Sequence, residues 1–211
     1  MLELVDKGGP LMWLILLCSV IATAIFIERL FHFHRAAINT AEFMAGLRNV
    51  LKRKNIVEAI SICDETPGPV AHILRAAILQ YPAGRDQIRE AIEDAGLSEV
   101  PRLERNLVVL ATIAHVAPLL GLLGTVLGMI DVFQRIQSQG GVVNPADLAS
   151  GVWQALLTTA GGLTVAIPCY VAYNYLVSRV DGLVLDMEKC GTEIANLLGS
   201  DSELGADVMG R

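Results

Sequence analysis

The sequence has few charged and few aromatic residues, and it lacks an excess of basic ones. Charged side chains make up 18% of the 211 residues and aromatic side chains 5%, and the formal net charge is −6. A chain without a basic surface is not expected to bind nucleic acid. The GxSxG, HExxH and Walker signatures of common enzyme classes are also missing. We therefore expect neither an enzyme nor a bound cofactor or metal.

The four cysteines form no paired motif. Cys18 and Cys169 lie in apolar runs, whereas Cys63 and Cys190 lie outside them, and no CxxC spacing occurs. This arrangement supplies neither a disulfide framework nor a set of metal ligands. We interpret all four as reduced residues that contribute to packing.

In place of charge, the sequence has long apolar runs. Hydrophobic residues account for 53% of the chain, and the mean hydropathy of +0.51 lies outside the range of an ordinary soluble domain. A helix of about 20 residues crosses a hydrocarbon core of ~30 Å. Three stretches reach this length and predict transmembrane helices at 11–31, 107–130 and 153–177. The first exceeds the roughly 7–15 residues of a signal-peptide core, so we expect it to remain in the mature protein.

Lysine and arginine residues near the ends of these runs predict the orientation. They are frequent near the membrane ends of segments 32–106 and 178–211 and sparse in segments 1–10 and 131–152. Positive residues favour the cytoplasmic side of a membrane. The N-terminus and the 131–152 loop are therefore predicted to be periplasmic, and the other two segments cytoplasmic.

The cytoplasmic segments have a helical pattern. Apolar residues recur at intervals of three and four in 32–106, and proline and glycine interrupt the pattern at 66–69 and 81–84. A similar stripe continues through the first part of 178–211, which we divide into a cytoplasmic helix and a tail. The predicted fold is an all-α integral membrane protein, with three transmembrane helices and long cytoplasmic helical extensions.

Small residues form a ridge along the second predicted span, and the third span repeats the pattern. Small residues at intervals of three and four allow helix backbones to approach closely in lipid. Each of the two spans also contains one proline, which can kink a helix. The residues that we assign to helix packing are Ala117, Pro118, Gly121, Gly124, Gly128, Gly161, Gly162 and Pro168.

Hydroxyl groups accompany these small residues near the periplasmic ends of the two spans. Thr125 is about five residues, or ~8 Å, from the end of the second span, and Thr159 is about six residues, or ~9 Å, into the third. Thr158 adjoins Thr159, and Gln154 lies one turn nearer the periplasm. These side chains can line a shared polar pathway. Alternatively, each threonine bonds a carbonyl of its own helix and only packs.

Spans two and three contain no Asp, Glu, Lys or Arg. A proton pathway here would need a titrating carboxylate from another chain. His115, in the cytoplasmic half of span two, is the intrinsic candidate for a relay because imidazole titrates near neutral pH. The alternative is a hydrogen-bonded histidine at a helix interface.

Two segments carry a family resemblance. LATIAHVAPLLGLLGTVLGMIDVF at 110–133 and GVWQALLTTAGGLTVAIPCYVAYN at 151–174 resemble the paired signature segments of the ExbB/TolQ proton-channel family. The resemblance implies a homopentamer in the bacterial inner membrane, surrounding helices of an ExbD/TolR-like single-span protein that carries the essential Asp. It also implies proton coupling and a TonB/TolA-like partner. Thr125 and Thr159 match pore-facing threonines of that family, and many members have Glu in place of Gln154.

Three functional hypotheses follow from these observations. The leading one is a subunit of an ion-driven motor that energises TonB-like transport, with a TolQ-like role in envelope maintenance as its variant. The second is a passive oligomeric scaffold in the membrane, in which the hydroxyls only pack. The third is a self-contained channel that uses His115 as its relay.

Overall fold

A computed structural model describes the backbone of residues 8–138 and 145–209, and the side chains of residues 8–138 and 148–199. This part of the chain is helical and contains no strand. Its elements, in chain order, are α1 (Pro10–Ala36), α2 (Thr40–Lys52), α3 (Ile56–Glu65), α4 (Pro69–Leu79), a 3-10 turn (Tyr81–Ala83), α5 (Arg85–Glu104), α6 (Leu107–Ser138) and α7 (Pro145–Met209).

The helices α1, α6 and α7 contain the three apolar stretches, and each is long and apolar enough to cross a membrane. The prediction of three long apolar helices is thus confirmed. All three helices extend beyond the predicted spans: α6 continues to Ser138 and α7 begins at Pro145. Both ends of the predicted 131–152 loop are therefore helical, and residues 139–144 lie outside the described part. Hydropathy marks the residues that suit lipid, whereas a helix continues through polar residues such as Asp131 and Arg135, which form an i,i+4 ion pair.

The chain divides into two compact units. The membrane unit comprises residues 1–29 and 106–176, and the helical unit comprises residues 30–105 and 177–211. In the membrane unit, many large apolar side chains are exposed, among them Leu119 and Ile167, each 62% exposed. Such a surface suits contact with lipid or with other transmembrane helices.

The helical unit has a core of aliphatic side chains. In α4, seven of the eleven residues are buried, because its apolar residues cover most of its circumference. The first turns of α2 and α3 are capped alike: Asn39 accepts a hydrogen bond from the Glu42 amide, and Asn55 accepts one from the Glu58 amide. Large side chains of the unit that are fully buried include Leu47, Leu74, Ile78, Ile88, Leu103, Ile194 and Leu198.

The turns of the helical unit lie where proline and glycine predict them, with one addition. Gly68 has φ +119° and Gly84 has φ +100°, in the region that favours glycine. At Gly68 a Cβ atom would also lie 2.8 Å from the carbonyl oxygen of Ala36. A further break separates α2 from α3, where Lys54 has φ +56°. No glycine or proline lies at this break, so the sequence pattern predicted one continuous helix in place of α2 and α3.

Two of the cysteines are buried in the helical unit. Burial, reinforced by Asp64 and opposed by Arg75, raises the pKa of the Cys63 thiol to about 11. Burial, reinforced by Asp186, likewise raises the pKa of Cys190. A thiol that stays protonated at neutral pH is a poor nucleophile and a poor metal ligand. Both residues therefore act as small apolar groups in the core.

Candidate functional site

Within the membrane unit, α6 and α7 meet along a line of small residues that we call the glycine seam: Ala117, Gly121, Gly124 and Gly128 on α6, and Ala155, Thr158, Thr159 and Gly162 on α7. A Cβ atom at Gly162 would lie 2.5 Å from the Ala117 carbonyl oxygen, and one at Gly121 would lie 3.0 Å from the Thr158 carbonyl oxygen. The two backbones are thus in direct contact. A side chain at Gly162 would force the backbones apart, and one at Gly121 would fit only if the facing α7 backbone shifted by a few tenths of an ångström.

Thr158 fills the middle of the glycine seam. Its side chain is 1% exposed and occupies the space that a Cβ of Gly124 would need. The hydroxyl donates to the Ala155 carbonyl at 2.8 Å and lies 3.3 Å from the Gln154 carbonyl. Thr158 therefore satisfies its hydroxyl within its own helix and contributes shape to the seam.

Thr159 connects the two helices through a hydrogen bond. Its half-buried hydroxyl donates to the Gly121 carbonyl at 3.0 Å, across 38 residues of sequence. In an α-helix this carbonyl is also the acceptor for the amide of Thr125, four residues further along. The Gly121 carbonyl thus accepts hydrogen bonds from the Thr159 hydroxyl and from the Thr125 backbone amide. The Thr159 oxygen keeps lone pairs that can accept a further hydrogen bond.

Thr125 lies about one turn further along α6, or ~6 Å from Gly121. Its hydroxyl donates to the Leu122 carbonyl at 2.6 Å, in an exposed hydrogen bond. The two threonines that the sequence placed at one depth are therefore offset by about a turn. The offset arises because α6 and α7 align through their glycines, and equal distances from the apolar ends do not set this register.

Helix α1 contacts the other face of α7. A Cβ atom at Gly161 would lie 2.9 Å from the Met12 sulfur, so this glycine faces α1, whereas Gly162 faces α6. Gln154 lies beside Gly9: a Cβ there would be 2.6 Å from the Gln154 Nε2 atom, and Gly9 has φ +72°. The Gln154 amide therefore packs against the backbone that precedes α1. Pro118 and Pro168 lie inside continuous helices, where each removes one backbone donor.

His115 lies on the exposed side of α6, away from the glycine seam. Its Nδ1 atom is 2.7 Å from the Ala111 carbonyl oxygen, and its ring is T-shaped against Tyr170, with centroids 6.3 Å apart. The structure therefore gives His115 a hydrogen bond and an aromatic neighbour, but no contact with Thr125 or Thr159 among its described interactions.

A polar contact between α1 and α6 was missed at the sequence level. The Glu28 carboxylate accepts hydrogen bonds from Arg29 at 3.2 Å and from the Asn106 side chain at 3.0 Å. Asn106 has φ +66° and precedes α6, a conformation that asparagine tolerates better than most residues. The sequence did contain a signal for this contact. Asn106 lies at the start of the second apolar run, and Glu28 lies near the end of the first.

Comparison with known proteins identifies the relatives of this chain. Residues 65–189 match the model of the MotA/TolQ/ExbB proton channel family. The chain is 34% identical over 178 residues to an ExbB-like biopolymer transport protein of Synechocystis sp., covering 82% of this chain and 68% of that protein. It is 28% identical over 192 residues to the ExbB1 biopolymer transport protein of Vibrio cholerae, covering 88% and 83%.

An archaeal relative is longer. The chain is 29% identical over 181 residues to an ExbB homologue of Methanothermobacter thermautotrophicus, which covers 85% of this chain but 64% of that protein. The family match includes the whole glycine seam, Thr125, Thr159 and His115. Three apolar helices and this match make the chain a membrane protein, and it belongs to the MotA/TolQ/ExbB proton channel family.

Proposed function

We propose that this chain is the ExbB/TolQ-like subunit of a proton-driven motor in the bacterial inner membrane. Five copies surround helices of an ExbD/TolR-like single-span protein, and the assembly energises TonB-like transport across the outer membrane. The N-terminus is periplasmic, and segments 32–106 and 178–211 are cytoplasmic. Family membership and the distribution of Lys and Arg support this proposal.

The observation that carries the proposal is a seam with hydroxyl groups but no charge. Thr159 bonds the Gly121 carbonyl, and residues 107–130 and 153–177 contain no Asp, Glu, Lys or Arg. An isolated carboxylate is costly in a membrane, whereas a protonated carboxyl group is neutral and can donate one hydrogen bond. The Thr159 oxygen can accept that bond from the Asp of the partner. Proton release then recreates the charge and favours movement of the partner helix.

A passive scaffold is the second candidate function. The hydroxyls of Thr125, Thr158 and Thr159 all donate to backbone carbonyls. The bonds of Thr125 and Thr158 stay within one helix, as expected of threonines that only pack, and the Thr159 bond is expected of a hydroxyl that holds two helices together. The two functions make different predictions for a residue that has the shape of threonine but no hydroxyl.

Thr159→Val provides this test, because valine keeps the shape and removes the donor. We expect the oligomer and its complex with the partner to persist in size-exclusion chromatography, while proton flux into proteoliposomes falls to background. Thr159→Ser, which retains the hydroxyl, is the matched variant and should conduct. Wild-type flux in an assembled Thr159→Val complex would reject the role of the Thr159 hydroxyl in the motor, whereas a wild-type complex that assembles without conducting protons would favour the scaffold.

A further inference from the structure

His115 and Tyr170 form a polar pair on the open side of the membrane unit. His115 is exposed and Tyr170 is 53% exposed, and their rings meet edge to face at 6.3 Å with an interplanar angle of 85°. His115 leans toward the start of α6, and Tyr170 leans toward the start of α7. Because the helices are antiparallel, these directions bring the rings together. The pair is thus built by two helices.

The hydrogen bond to Ala111 determines which nitrogen of His115 can take up a proton. The Ala111 carbonyl can only accept, so Nδ1, 2.7 Å away, carries the hydrogen. In the neutral ring the remaining nitrogen, Nε2, is then the acceptor. The ring is exposed, so Nε2 is accessible to a proton donor from outside the chain.

The surroundings make contact with lipid costly for this pair. Polar and ionisable side chains within transmembrane helices usually face protein or water. Thr112 lies one turn before His115, and Asn174 lies one turn after Tyr170. Both are therefore nearer the proposed cytoplasmic side, and both are exposed as well. The open face therefore has a polar section, whereas beyond His115 it continues with apolar side chains such as Leu119 and Leu122. Water or a polar group of a partner is the expected neighbour.

We propose that His115 is a second proton-binding site, in addition to the Asp of the partner beside Thr159. His115 lies nearer the cytoplasm than the Thr159 hydroxyl. This inference rests on the proposed function. His115 is six residues from Gly121, or about 9 Å along α6, and because Leu119 on the open face between them is apolar, water held beside the partner or a polar group of the partner has to bridge this distance. A carboxylic acid at the Thr159 level breaks its O–H bond, and the proton passes through water to Nε2. A carboxylate and an imidazolium result, and the imidazolium then releases that proton to cytoplasmic water.

The test measures proton flux in proteoliposomes that contain the chain and its carboxylate-bearing partner. His115→Ala removes the proton acceptor and leaves space, so flux should be lost and should return when imidazole is added. His115→Gln keeps a side-chain donor for the Ala111 carbonyl but cannot carry a proton, so it should assemble and remain inactive. His72→Gln is the matched control, because His72 lies in the helical unit and pairs with Glu99. It should conduct like the wild type.

The outcomes separate this inference from the proposed function. Without flux in the wild type, the proposed function itself fails. If the wild type conducts, Thr159→Val does not, and His115→Gln conducts normally, only the role of His115 is rejected. If assembled His115→Ala is inactive and imidazole fails to restore flux, His115 is a structural residue and the inference is also rejected. If His115→Ala does not assemble, normal flux through His115→Gln rejects the inference and loss of flux supports it.

Discussion

In the membrane unit, α6 and α7 approach through Gly121, Gly124 and Gly162, whereas the helical unit packs through large side chains such as Leu74 and Ile78, each 0% exposed. In the seam, the atoms nearest to the glycine positions include backbone carbonyls of the facing helix, and the Thr159 hydroxyl bonds across the interface. In the helical unit, burial of aliphatic groups dominates, and ion pairs such as Arg48 with Glu193 lie at its surface. The same chain thus uses two kinds of packing.

This difference is the one expected between a unit in lipid and a unit in water. Lipid is as apolar as leucine, so burial of leucine between helices gains little in a membrane, and close backbone contact and hydrogen bonds replace it. In water, burial of apolar area gains roughly 25 cal/mol per Å². Substitutions in the two units should therefore act in opposite ways: removal of volume harms the helical unit, and addition of volume harms the seam.

The largest effect is expected from loss of volume in the helical unit. Leu74 is fully buried in α4, so Leu74→Ala leaves a cavity and should lower the free energy of unfolding by about 2–5 kcal/mol. Leu79, 48% exposed in the same helix, is the matched control, and Leu79→Ala should change little. Chemical unfolding of the full chain in detergent, followed by circular dichroism, measures both. Equal effects would contradict the assignment of Leu74 to a packed core.

Addition of one methyl group should harm the seam. At Gly162 the new Cβ would meet the Ala117 carbonyl at 2.5 Å and the Gly121 Cα at 3.1 Å, both of them backbone atoms. Gly162→Ala should cost about 1–3 kcal/mol. At Gly182, also in α7, a Cβ has no neighbour within 4 Å, so Gly182→Ala should instead stabilise by about 0.5–1 kcal/mol. Thermal unfolding compares the two variants, and a Gly162→Ala variant as stable as Gly182→Ala would disprove close contact at the seam.

The smallest effect is expected at the surface of the helical unit. Arg48 pairs with Glu193, and both side chains are well exposed, at 47% and 39%. Arg48→Gln should cost less than about 1 kcal/mol, because water screens exposed ion pairs. The free energy of unfolding of this variant and of the wild type is measured at low and at high salt. The difference between them should be smaller at high salt. A loss as large as that of Leu74→Ala would show that charge, and not apolar burial, holds this unit together.

Local chemistry made much of the fold predictable. Proline and glycine at 66–69 and 81–84 predicted the ends of α3 and α4, because these residues restrict or free the backbone on their own. The break at Lys54 was not predictable in this way, because lysine has no preference for φ +56°. Asn55, which caps α3, was the remaining signal. Helix ends that depend on caps and packing are thus harder to locate than those set by proline or glycine.

For the candidate site, the sequence by itself determined three apolar helices, the ridge of small residues and the absence of a carboxylate in spans two and three. These properties follow from composition and spacing within single segments. Only the tertiary structure decided that Gly161 faces α1 while Gly162 faces α6, that Thr159 bonds Gly121, and that His115 meets Tyr170. Each of these contacts joins residues far apart in the sequence. Their register depends on which residues of two separate helices meet, and no pattern within a single helix encodes that pairing.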